Sequence, residues 1–121
     1  MAVIAFTEAA SGNRLGDRGI VTLTWTGLVN ADSGTPVTHI AQFADRSIQV
    51  TGTFGAGGTV LIEGSLDGVT YATLTDQSDN NLSITSAKIE TVLQLVKYIR
   101  PRVSAGDGTT SLTITLVAKG E

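Results

Sequence analysis

The residues able to do chemistry are few and poorly spaced for it. His39 is the one histidine, and it stands beside Ile40 in a short apolar stretch with no neighbouring carboxylate or second ligand. A serine nucleophile would need that same histidine as its base, and no serine lies in a Gly-x-Ser-x-Gly elbow, the strained turn that exposes a nucleophile. Asp67, Asp76, Asp79 and Asp107 offer hard oxygen ligands of the kind calcium takes, but their spacing matches no calcium loop, and turn formation accounts for them. Gly55, Gly57 and Gly58 lead into a strand instead of a helix opened by Lys-Ser/Thr, so they read as a connection and not a phosphate cradle. The chain has no cysteine, which removes thiolate chemistry, a disulfide framework and the usual structural zinc sites. We therefore expect no catalytic residue, no metal site and no cofactor: a binding protein and not an enzyme.

Contact chemistry is better represented. Arg14, Arg18, Arg46, Arg100 and Arg102 carry planar donor forks and are the best candidates for contacts to carboxylates on another chain, although a solvated surface role is the default reading of each. Trp25 has the shape of a sugar-stacking platform, but it alternates with Val21 and Leu23, which places it on a core face. Tyr71 and Tyr98 are the aromatics left for a ligand. Net charge is −3 and the basic residues are scattered, so no footprint for a nucleic-acid backbone is visible.

The elements that must position these groups are strands. Apolar residues make up 41% of the chain and charged ones 16%, a balance that excludes disorder, while abundant Thr, Val and Gly favour pleated strands and tight turns. Val3 to Thr7 forms a short apolar arm ahead of a polar stretch, giving an arm and loop over 1–18 and a sandwich domain over 19–121. Val3, Ile4 and Phe6 suit an interface that adds a strand to a neighbour's sheet edge, and suit an ordinary core strand as well. The N-terminal run lacks the basic flank and length of a signal or membrane segment, which points to synthesis in a cytoplasm and no membrane partner.

Ile20–Leu28 alternates cleanly, and 27–36 reads as an exposed loop. Val37–Phe43 reads as a short strand. Residues 47–75 read as a three-strand meander, turned at Gly55-Ala56-Gly57-Gly58 and at Asp67-Gly68. Ala87–Val96 fits a helical spacing as well as any other, and Leu82–Thr85, Lys97–Val103 and Leu112–Val117 are further strands. Pro101 cannot donate to a ladder, so it marks an edge or a bulge. About eight strands at this spacing predict an all-β, jelly-roll-type antiparallel sandwich, with an immunoglobulin-like sandwich as the alternative.

Val60 to Leu74, with Gly64-Ser65-Leu66-Asp67-Gly68 ahead of Tyr71, resembles a hairpin of discoidin-like jelly rolls, and Lys97 to Val103 resembles a strand of the same domains. Together with Ser47 to Gly58 and Gly106 to Thr113, these stretches resemble small structural proteins of tailed bacteriophages, capsid decoration (cement) proteins above all. The resemblance covers 47–118 and brings no catalytic residue. It implies a subunit that sits on the capsid exterior as a homo-oligomer, a dimer or trimer, and binds the major capsid protein. A carbohydrate- or receptor-binding module and a tail or baseplate part are the alternatives.

Overall fold

The computed structural model describes residues 2–11, 20–38, 40–43 and 45–119. Strand β3 (Ile20–Leu28) shows how the sequence selects its fold: Val21, Leu23 and Trp25 are buried while Thr22, Thr24 and Thr26 turn outward. β11 (Ser111–Lys119) repeats the pattern with Leu112, Ile114, Leu116 and Ala118 inward, and pairs antiparallel with β3. β5 (Asp45–Thr53) flanks β11 on its other side, while β2 (Phe6–Ser11) and β9 (Lys88–Thr91) form the two edges. The resulting order is β2-β3-β11-β5-β9.

A second sheet packs against this one in the order β1 (Val3–Ile4), β4 (Ser33–Gly34), β10 (Tyr98–Ala105), β6 (Thr59–Ser65) and β7 (Ala72–Thr73). β8 (Ser83–Ile84) also pairs with β6, next to the stretch that β7 occupies, so the two short strands form one interrupted edge. Counting them as one, β3 to β11 supply eight strands that distribute between the sheets as in a jelly roll. The expected fold class stands, and β1 and β2 are added to it. The last two strands, β10 and β11, each lie at the centre of a sheet.

Between the sheets lies one apolar core in which Leu23, Trp25, Ile62, Ile84, Ile99 and Ile114 are almost fully buried. Trp25 stands edge-on to Phe6, with ring centroids 5.7 Å apart, and its indole N–H donates to the Thr35 carbonyl at 3.0 Å. That satisfies the one polar atom the ring takes into the core.

Several local expectations are overturned. The stretch 27–36 is not an exposed loop: Asp32, Ser33 and Gly34 are buried, and Asp32 accepts from the Ala2 and Val29 backbone N–H groups at 2.9 and 3.0 Å. The polar composition there reflects a carboxylate recruited to satisfy backbone donors. Val37–Phe43 is not a strand but a single bridge from Val37 to Ile99 followed by a 3-10 turn at Ile40–Gln42. The 47–75 meander also fails, because β5 and β6 lie in different sheets and Gly55–Gly58 carries the chain across the sandwich. Only β6 and β7 form a hairpin, with Gly64 opposite Ala72. The helical option for Ala87–Val96 gives way to β9 and an irregular run in which Val92 and Val96 are buried but Ile89 and Leu93 are exposed.

Pro101 sits in an interior strand, yet at a gap in its ladder. On either side of it Ile99 and Val103 bond to Val37 and Asp32 respectively, and between the Arg102–Ser33 and Ile99–Val37 pairs the facing chain spends one residue more than β10 does, a bulge that sets Gly34 against the proline ring. The missing donor therefore costs nothing.

Candidate interaction surface

The alternation of β6 and β10 sends Val60, Ile62, Ile99 and Val103 into the core and leaves Glu63, Tyr98, Arg100 and Arg102 on the outer face. Arg100 lies directly across from Glu63, and Arg102 is two residues further along the same face. These are the direct and diagonal neighbours of a pleated sheet, close enough for one carboxylate to reach both. Arg100 Nε donates to Glu63 Oε1 at 3.1 Å and Arg102 Nε to Glu63 Oε2 at 3.0 Å. The Glu63 side chain is 7% exposed against 28% and 41% for the arginines, so the guanidiniums form a lid over it.

Two tyrosines extend this cluster. The Arg100 guanidinium lies 3.9 Å from the centre of the Tyr71 ring, a cation–π contact. Burial raises the Tyr71 hydroxyl above the ordinary tyrosine value, and the neighbouring Arg100 charge opposes that rise. Tyr98 packs against the backbone of Gly68, which takes φ +80° and where a side-chain carbon would come within 3.2 Å of the ring. The loop carrying Tyr71 is itself held by Asp67, whose Oδ1 accepts from the Val69 and Thr70 N–H groups at 2.8 Å and from the Ser65 hydroxyl at 2.8 Å. Those bonds depress its carboxyl to about 2.

The other outer face is different in kind. Across β3, β11 and β5 it presents Thr24, Thr115 and Gln49 in one row and Thr22, Val117 and Ser47 in the next, without a charge among them. Beside β7, a groove lined by Leu66, Thr70, Leu74, Gln94 and Val96 opens near the exposed Val69 and Leu95.

Of the residues expected to form an interface, Arg100 and Arg102 are brought together. Val3 is 63% exposed on the edge strand β1, but Ile4 and Phe6 pack against the chain's own core, so the arm is docked intramolecularly. Arg46 is a correction: it is 5% exposed, and its terminal nitrogens donate to the Phe43 and Gln94 carbonyls. It closes one end of the sandwich, with burial lowering its pKa and Asp45 opposing. Arg14, Arg18 and His39 lie outside the described residues. Glu63 was not singled out by the sequence, although its signal was there: a lone acid directly after the apolar run Val60–Ile62, one strand period from Leu61 and Ser65. Among the described residues, no group of three or more His, Cys, Asp or Glu side chains is placed to hold a metal, and no helix is long and apolar enough to cross a membrane.

No protein-family model matches the chain, and no curated protein matches it significantly. Solved structures do resemble it. The prophage-derived protein YomS of SPBc2 superposes with a TM-score of 0.62 at 9% identity, over 82% of this chain and 93% of that one. Identity that low makes this a likeness of fold. A chain from the disulfide-linked pili of Bacillus endospore appendages gives a TM-score of 0.43 at 15% identity, covering 96% and 91% of the two chains. An RmlC-like cupin protein from Desulfovibrio desulfuricans gives 0.43 at 8%, covering 95% and 82%. TM-scores of this size carry no argument. None of the three is described as a discoidin domain, so that resemblance rests on the Val60–Leu74 hairpin and the Lys97–Val103 strand alone.

Proposed function

We propose that this chain is a virion structural protein, a capsid decoration or cement subunit that docks on the outside of a phage head and bridges neighbouring major capsid subunits. It acts by binding, as a homo-oligomer, with no catalytic step and no cofactor. The observation that carries the reading is the outer face of β6 and β10, where Arg100 and Arg102 are fixed on one carboxylate beside Tyr71 and Tyr98. Arginine and tyrosine are the side chains that most often dominate protein interfaces, and rigidly held ones lose little entropy on docking. The phage setting is supported by the fold likeness to the prophage-derived YomS and by the sequence resemblance to cement proteins. Many weak copies on a lattice add up through multivalency, so a single small face is sufficient.

Cryo-electron microscopy of assembled particles tests this. The expected result is jelly-roll density at symmetry-related sites on the head exterior, with β6 and β10 toward the shell. Replacing Arg100 and Arg102 with alanine is expected to weaken head binding roughly 30-fold, the effect of losing one interface anchor. Density confined to the tail replaces the cement reading with the baseplate one, and particles lacking the protein end both.

A further inference from the structure

We infer that the Arg100–Arg102 pair is a receptor for a single carboxylate, an Asp or Glu side chain on the protein surface to which the chain docks. This rests on the docking reading and names the chemistry of the same face. The argument begins with unequal numbers. Two guanidiniums share the one carboxylate of Glu63, and each gives it only its Nε–H. A guanidinium has five N–H donors, so the terminal nitrogens of both arginines remain for a ligand. One positive charge is left over at a half-buried site, and one further carboxylate balances it.

The donors are also preset. Glu63 fixes both side chains from below, and the Tyr71 ring fixes the plane of Arg100 from the side. A ligand arriving at this site does not have to freeze two flexible arginines, and a planar carboxylate matches the fork geometry. A nucleic-acid backbone fits less well. The chain carries 11 acidic against 8 basic residues, and Asp67 stands near enough to Tyr71 to act on its hydroxyl. The favourable field is thus short-ranged and reaches one side-chain carboxylate at a time, which the planar fork, and not charge alone, selects.

The test follows the arginine Nε–Hε NMR resonances during titration with poly-L-glutamate, with poly-L-lysine and inorganic phosphate as the other probes. Poly-L-glutamate is expected to shift Arg100 and Arg102 saturably, and poly-L-lysine is not. In Glu63→Gln, half-saturation is expected to rise about tenfold even though the site gains net positive charge, because the donors are no longer held. The double variant Arg100→Lys with Arg102→Lys keeps both charges beside Glu63; followed by the backbone amide resonances of residues 98–103, since the arginine side-chain signals are gone, it is expected to lose about as much.

Tighter binding by Glu63→Gln would make the pair a loose positive patch and overturn the inference, as would phosphate saturating below poly-L-glutamate or resonances that never move. Head binding separates the two readings. If heads reject the double lysine variant while poly-L-glutamate never moves the wild-type resonances, the carboxylate site falls and docking stands. If poly-L-glutamate binds as expected but heads do not bind the wild type, the docking reading falls alone.

Discussion

At the scale of single residues, the turns are held by carboxylates and the core by close approach. Asp107 accepts from the Ala56 N–H at 2.8 Å and from the Thr109 N–H and hydroxyl at 2.9 and 2.7 Å, which joins two loops at one end of the sandwich. These bonds hold its carboxyl at about 2, as they do for Asp67, against an ordinary 3.8. A folded value below the unfolded one means that the stabilisation is complete above the unfolded value and is lost as the pH falls through the folded one. The melting temperature is therefore expected to stay level from about pH 7 to 5 and to drop between about 4 and 2. Asp67→Asn and Asp107→Asn should each flatten that drop in thermal melts at stepped pH. Gly34 is fixed by contact: a Cβ there would lie 2.5 Å from Trp25 Cδ1 and Nε1 and 2.7 Å from Pro101 Cδ. Gly34→Ala is expected to destabilise by about 1–3 kcal/mol in urea unfolding, the usual cost of overpacking.

Elements divide into those their own sequence specifies and those specified from elsewhere. β3 and β11 were legible because alternation between Thr and large apolar residues has a single reading when one face is buried. The meander was not, since Gly55–Gly58 turns the chain equally well within a sheet or between two, and the choice belongs to β11, which takes β5 as its neighbour. Ala87–Val96 was ambiguous for a similar reason. Its irregular half is held by groups far along the chain: Gln94 exchanges bonds with Thr75 at 2.9 and 2.6 Å, and Arg46 donates to the Gln94 carbonyl. The arginine pair was half legible, as Arg-Pro-Arg places both on one face, whereas the partner at Glu63 depends on register. Arg46→Met tests the tie. It takes the guanidinium donors away from the Phe43 and Gln94 carbonyls and is expected to cost about 2 kcal/mol in stability, with faster amide exchange over 92–96 measured by mass spectrometry.

The molecule as a whole has two unlike outer faces, one of paired arginines and tyrosines and one of uncharged threonine rows. If docking uses the first, charge placed on the second is harmless. Gln49→Lys, at an exposed position of β5, is expected to change head binding less than about twofold in co-sedimentation, within the ordinary range for surface substitutions. A consequence for synthesis follows from the central position of β10 and β11. A ribosome delivers β3, β4, β5 and β6 long before it delivers the central strands that join them, and β3 and β5 have no common neighbour until residues 111–119 are out. Neither sheet can close during early elongation, and the apolar faces of the first strands wait in the open. Chains stalled before Ser111 has emerged are expected to be digested throughout by protease, and chains stalled well after Lys119 to be protected as one unit.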